Sequence, residues 1–213
     1  MNVGKLMIFG DSYSTYAGHI PEGHLAYYTG VRTEKPDLED VKDTWWRRFI
    51  EATGATLVQN NSWSGSTIGY TGYSKTDYSR TSSFIYRFEK LLAEGFFKNN
   101  EIDTVIVFGG TNDSWCDAPL GEVKDAEIKE EDLYYALPAI THFAARLKAE
   151  IGEKQIAFII NDGLKTEITD CLKNACKQHG FRYVEISGVD KIDGHPTKLG
   201  MEQIANQVIS ALA

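Results

Sequence analysis

Short apolar runs alternate along this chain with segments of helical periodicity. That alternation limits the fold more than any other feature. Lys5–Phe9 (KLMIF) runs into a Gly-Asp pair and reads as a buried strand. Thr44–Thr53 reads as a helix with Asp43 as N-cap and Gly54 as its stop. Thr56–Asn60 is the second strand, and Ser82–Glu94 is a helix with Phe84, Ile85, Phe88, Leu91 and Leu92 on one face. Thr104–Phe108 (TVIVF) is the third strand, ending in Gly109-Gly110. Glu131–Glu150 carries a core stripe of Leu133, Ala136, Leu137, Ile140, Phe143, Ala144 and Leu147, with Pro138 expected to kink it. Gln155–Ile160 is the fourth strand, Lys165–His179 a helix, and Tyr183–Ile186 the fifth strand. Lys198–Leu212 closes the chain with Met201, Ile204, Ala205, Val208, Ile209 and Leu212 facing inward. Strands that are apolar throughout are buried on both faces. The expectation is one α/β domain over residues 1–213, a parallel sheet covered by helices on both sides with right-handed crossovers. Ligands of such sheets bind beyond the carboxyl ends of the strands, at a switch in strand order.

Composition narrows the partners. Hydrophobic residues make up 42% of the 213 and charged residues 24%, which suits a folded domain. A formal net charge of -8 with no Lys/Arg cluster disfavours nucleic acid and anionic membranes. The opening MNVGKLMIF is too short for a signal-peptide core, and no run approaches the roughly 18 apolar residues of a membrane span. A cytoplasmic location is the expectation. Of the cysteines, Cys171 and Cys176 fall on the apolar stripe of a helix and read as small buried hydrophobes, while Cys116 lies in a loop. No metal and no cofactor are expected: a Zn site would need more Cys/His ligands near Cys171 and Cys176, and nucleotide binding is disfavoured because neither G-x-G-x-x-G nor G-x-x-x-x-G-K-[ST] occurs. The G-x-S-x-G elbow of the common α/β-hydrolases is also missing.

The chemistry-bearing residues fall into four segments: Gly10-Asp11-Ser12-Tyr13-Ser14, Ser62-Trp63-Ser64-Gly65-Ser66, Gly110-Thr111-Asn112-Asp113 and Asp193-Gly194-His195-Pro196. Three follow the first three strands, and the fourth lies between the fifth strand and the last helix. In a parallel sheet all four reach one rim. Ser12 at a tight turn is a candidate nucleophile, which needs a base to take its proton; His195 is the candidate base. Acyl transfer creates an oxyanion that preorganised N–H donors stabilise, and the Asn112 amide and the Gly65 backbone offer such donors. Taken singly, Ser12 also reads as a cap, Asn112 as an Asx-turn and Gly65 as a positive-φ turn.

Together the four segments resemble the four blocks of the SGNH hydrolases, the GDSL-type esterases, in the family's order and over residues 8–200. The resemblance implies a flavodoxin-like three-layer α/β/α fold with a five-stranded parallel sheet. It implies Ser12 as nucleophile, His195 as base, and an oxyanion hole of the Ser12 N–H, the Gly65 N–H and the Asn112 side chain. Two positions depart from the family. Tyr13 stands where many members have Leu, a position expected to concern packing. The family's catalytic Asp lies three residues before the His, and here that residue is Ile192. Asp193 is the preferred third member of the triad; Asp190, or a Ser-His dyad oriented by a backbone carbonyl, is the alternative.

The remaining readings concern substrate. His142 and His179 lie on helices and read as structural, whereas His19 and His24 in the long Ser14–Lys42 loop could line a substrate mouth. Tyr16, Tyr27, Tyr28, Trp45, Trp46, Trp63, Tyr70, Tyr73 and Trp115 lie near the motif loops, either as sugar-stacking rings or as core filler. The acidic stretch Glu122–Asp132 reads as a solvated loop and helix start. Motif loops rich in Ser, Thr, Tyr and Gly favour short acyl groups on a carbohydrate or similar small alcohol. Two other functions compete. One is a metal-dependent phosphoesterase using Asp11, Asp113 and the Asp193/His195 pair. The other is a binding protein that keeps the fold without the chemistry.

Overall fold

The computed structural model describes residues 3–32, 36–124 and 126–212. Residues 33–35 of the long loop, Asp125 of the acidic stretch and the first two residues of the N-terminal apolar segment lie outside them. The five predicted strands form one parallel sheet: β1 (Lys5–Gly10), β2 (Thr56–Ser62), β3 (Thr104–Phe108), β4 (Gln155–Ile160) and β5 (Arg182–Glu185), in the spatial order β2-β1-β3-β4-β5. The chain steps from β1 to one edge, then returns over β1 to lay down the rest. The switch in direction therefore lies at the carboxyl ends of β1 and β3. The register aligns these ends, since Gly10 pairs with both Ser62 of β2 and Phe108 of β3.

Strand alternation splits the core into two layers. Met7, Phe9, Val105 and Val107 face α2 (Phe84–Ala93), α5 (Ala136–Ile151) and α6 (Thr166–His179), where Phe84, Phe88, Phe143 and Leu172 pack. Leu6, Ile8, Ile106 and Phe108 face α1 (Trp45–Thr53) and α7 (Lys198–Leu212) through Trp45, Trp46, Phe49, Met201 and Ile204. Trp45 and Trp46 are thus core residues on the far side of the sheet and present no ring to a ligand. Two short helices, α3 (Phe96–Asn99) and α4 (Thr111–Trp115), follow α2 and β3.

Two local expectations are corrected. The N-cap of α1 is Thr44, whose hydroxyl accepts from the Arg47 N–H at 3.3 Å. Asp43 ends a preceding 3-10 turn, and its carboxylate pairs with Arg48 at 3.5 Å and Lys198 at 3.1 Å, tying α1 to α7. Pro138 does not kink a long helix; it ends one and starts another. A helix running from residue 131 would drive the proline ring into the Tyr134 carbonyl, four residues back. The chain instead makes a 3-10 turn over Glu130–Tyr134, extends at Tyr135 and restarts at Ala136. Pro138 then sits in the first turn, where its missing N–H costs nothing.

The last unforeseen element is a two-residue hairpin. Lys191–Ile192 (β6) pairs antiparallel with His195–Pro196 (β7), with Ile192 opposite His195. Its turn is Asp193-Gly194, with φ of +50° and +76°, the pair of positive values a tight hairpin turn requires.

Candidate active site

Ser12 heads a 3-10 turn, Ser12–Ser14, that leaves β1 directly. Asp11 caps the turn by accepting from the Tyr13 N–H at 3.0 Å, and Thr15 closes it by donating its hydroxyl to the Ser12 carbonyl at 2.9 Å. Gly10 has to be glycine, since a Cβ there would lie 2.4 Å from Ser62 Oγ and 2.5 Å from Ser14 Cβ. That close approach lets the turn rise at the sheet end.

The hairpin carries His195 back over this turn. Its Nε2 lies 3.0 Å from Ser12 Oγ, across 183 residues of sequence. Its Nδ1 faces the Asp193 carbonyl at 3.3 Å. A carbonyl only accepts, so Nδ1 carries the proton in this pairing, and the Nε2 lone pair is left for the serine hydroxyl. Asp190 lies at the foot of the hairpin, where its carboxylate accepts from the Thr197 hydroxyl and its carbonyl from the Thr197 N–H at 3.0 Å.

Hydroxyl groups hold the hairpin down. Tyr13 donates to the Gly194 carbonyl and Tyr28 to the Pro196 carbonyl at 2.7 Å. The Tyr at position 13 therefore does more than pack, because it is bonded to the residue before the histidine. Lys191 ties the outer strand to Asn161 at 3.2 Å and to Asp162, beyond the end of β4. Tyr27 stacks flat on the imidazole, with ring centroids 3.6 Å apart and planes 3° apart. Trp115 meets its edge at 5.7 Å and 75°.

The oxyanion candidates come from the other two strand ends. Asn112 lies in α4, just past β3; its Nδ2 donates to the Ser66 carbonyl at 2.9 Å. Gly65 sits beside Ser66 in the loop after β2, at φ +82°, and a Cβ there would only touch the Tyr73 ring at 4.0 Å; the backbone angle, not crowding, demands the glycine. The N–H groups of Ser12 and Gly65 meet no acceptor among the described residues. All four sequence segments thus reach one rim.

Beneath the rim lies a buried ionic layer that the sequence reading missed. Arg87 is fully buried on α2 and donates to the Gly10 carbonyl at 3.2 Å, Ser66 Oγ at 3.1 Å, Ser82 O at 2.8 Å, Asn61 Oδ1 at 2.8 Å and the Asn61 carbonyl. Burial lowers its guanidinium to about 9. Burial likewise raises Asp11 to about 7 and Asp113 to about 6. Asp113 spends its carboxylate on the Ile68 N–H at 2.9 Å and the Gly69 N–H at 3.2 Å. These acids are structural anchors below the rim. Among the described residues no group of three or more His, Cys, Asp or Glu side chains is placed to hold a metal ion.

The other histidines lie against aromatic rings or on helices. His24 stacks on Trp63 at 4.4 Å and pairs with the Ser62 carbonyl at 3.0 Å; burial lowers it to about 4, so it is neutral. His19 lies against Tyr16 and Trp46, and His142 is lowered by burial on α5. Cys171 and Cys176 are buried as expected, and Cys116 is half-buried.

The family model described as GDSL-like lipase/acylhydrolase matches residues 4–212. This chain belongs to that family. A proposed GDSL-like lipase from Bacteroides uniformis is 40% identical, with a TM-score of 0.89 over 98% of this chain and 95% of that one. A second, from Bacteroides ovatus, is 36% identical, with a TM-score of 0.89 over 98% and 97%. An acetyl xylan esterase from Butyrivibrio proteoclasticus shares the fold at 17% identity, with a TM-score of 0.60 over 100% of this chain and 64% of that one. Among curated proteins none matches. The hydrolase thus belongs with esterases and lipases, on the fold its motifs implied. Among the described residues no helix is long and apolar enough to cross a membrane.

Proposed function

We propose that this hydrolase cleaves carboxylic esters through a covalent acyl-Ser12 intermediate. The observation that carries the reading is the 3.0 Å approach of His195 Nε2 to Ser12 Oγ. Ser12 Oγ attacks the ester carbonyl while His195 takes its proton. The N–H groups of Ser12 and Gly65 and the Asn112 amide receive the oxyanion. His195 returns the proton to the leaving alcohol, and water repeats the sequence to free the acid. The main-chain oxygen of Asp193, rather than its carboxylate, faces Nδ1 and fixes the tautomer, the arrangement of a Ser-His dyad oriented by a backbone carbonyl.

The substrate reading is a short acyl group, acetyl to butyryl, on a carbohydrate or similar small alcohol. Tyr73 and Trp115 support it, with 38% and 39% of their surface exposed beside Asn112 and His195. Rings so placed suit the flat face of a sugar. The acetyl xylan esterase is built on the same fold, so the fold accommodates such a substrate.

Ser12→Ala is expected to lower kcat on the order of 10⁶-fold and to abolish labelling by a fluorophosphonate. Activity within tenfold of wild type would overturn the serine mechanism. Across p-nitrophenyl esters from C2 to C12, a maximum of kcat/KM at C8 or longer would overturn the short-acyl reading. A short-chain optimum with no acetate released from acetylated sugars would remove the carbohydrate.

A further inference from the structure

The Asn112 amide has two ends, and its usefulness as an oxyanion donor depends on which way it faces. The hydrogen bonds decide this. The Ser66 carbonyl can only accept, so the group 2.9 Å from it is Nδ2. The other end is Oδ1, and it lies 2.7 Å from the Tyr73 hydroxyl, which must therefore donate. One Nδ2 hydrogen is committed to Ser66. The second meets no acceptor among the described residues. Rotating the amide by half a turn would set its oxygen against the Ser66 carbonyl, two acceptors face to face.

The segment bearing Tyr73 is built for a fixed position. It is the tip of a turn closed by the bridge between Thr71 and Asp77 and by Gly72 N–H to Thr76 O at 2.8 Å. The next two residues, Ser74 and Lys75, hold φ of +55° and +59°, a conformation costly for side chains with a Cβ. Lys75 is in turn fastened to the Asp117 carbonyl, beyond α4. Strain kept in a sewn-down turn calls for a function, and the group the turn delivers is the hydroxyl on Asn112. Burial raises that phenol to about 12, so it keeps its proton across the range in which an imidazole base works.

We infer that Tyr73 is a positioning residue for the oxyanion hole: its hydroxyl locks the Asn112 amide with one N–H turned to the reacting carbonyl. Donation to Oδ1 also draws electron density from the amide nitrogen, which makes the free N–H a stronger donor. The inference rests on the serine-esterase reading given above. Tyr73 acts through Asn112, so its contribution disappears when Asn112 does.

A double-mutant cycle tests it on p-nitrophenyl acetate. Asn112→Ala alone should lower kcat by roughly 10²–10³, as for loss of one donor. Tyr73→Phe keeps the ring and removes only the hydroxyl, and should lower kcat about tenfold with KM within about twofold. In the Asn112→Ala background the same change should alter kcat less than about twofold. A tenfold loss that persists there would overturn the inference, because Tyr73 would then act on the substrate or on the fold. So would a loss confined to KM, or wild-type kcat in Tyr73→Phe. Failure of the underlying reading looks different, because Asn112→Ala would itself leave kcat unchanged.

Discussion

Two tyrosine hydroxyls reach across the sequence to hold the histidine hairpin, and removing them separates a catalytic role from a structural one. Tyr13 bonds the Gly194 carbonyl and Tyr28 the Pro196 carbonyl, one on each side of His195. Phenylalanine at position 13 keeps the edge contact with Phe108, at 5.5 Å and 80°, so packing is preserved. A neutral hydrogen bond contributes about 1 kcal/mol net, which is about fivefold in an equilibrium. If the docked hairpin is the reactive one, each single variant should lower kcat up to about fivefold and Tyr13→Phe/Tyr28→Phe about thirtyfold. The same energies spread over a domain of this size lower Tm by about 2–4 °C per bond. The assay is kcat and KM on p-nitrophenyl acetate, with a thermal melt of each protein. A double variant that melts several degrees early yet keeps kcat within twofold would refute the reasoning. The hydroxyls would then hold the fold and leave the imidazole where it was, kept by Lys191, Asp190 and the Tyr27 stack.

Two further predictions concern the same loop and its neighbour. Asp193→Asn retains the carbonyl that faces His195 and tolerates the positive φ, so kcat should stay within about tenfold of wild type; a fall approaching 10⁴ would instead assign the work to the carboxylate. Burial holds His24 at about 4 against 6.5 when unfolded, so between those values the unfolded chain binds a proton the native one refuses, and stability falls as pH drops through that window. His24→Asn should flatten the fall by about 1 kcal/mol after allowance for its partial exposure, and identical urea midpoints for both proteins at pH 7 and pH 4.5 would count against this.

The sheet was legible because its central strands β1, β3 and β4 are apolar on both faces, a pattern that leaves no solvent side to choose. The rim was legible because a parallel sheet sends every strand end to one edge. What escaped reading was encoded in shorter-range signals. The Asp193-Gly194 pair is a hairpin signature, and it explains why Ile192 occupies the position three before the histidine: in a two-residue turn that residue lies directly across from His195. Pro138 was recognised as a helix disruptor, but its clash falls on the residue four before it, so the break appeared upstream. Thr44 and Asp43 are both good caps, and only the reach of a side chain to the N3 amide distinguishes them. Trp45 and Trp46 sit at adjacent positions on a helix whose inner face covers both, so nearness to a motif in sequence said nothing of nearness in space.

Arg87 carried its own signal. It lies three residues after Phe84 and four before Leu91, on the very stripe that faces the core. A charged residue on such a stripe is buried only if something there requires it. What requires it is the end of the sheet. Where β1 and β2 end, the Gly10 carbonyl accepts from the Trp63 N–H at 3.1 Å and keeps a second lone pair for Arg87, which also serves the Asn61 carbonyl in a place water does not reach. A guanidinium fork supplies several donors in fixed directions, which a lysine cannot do. Asp11, buried one residue before the nucleophile, favours that charge through space. The same fork holds Ser66, whose carbonyl holds the Asn112 amide. One buried cation therefore links the turn of the nucleophile to the loop of the oxyanion donors. A well-packed apolar side chain would make an equally good core, but it would leave the Trp63 N–H to Gly10 bond without the several further ties Arg87 adds between those two loops.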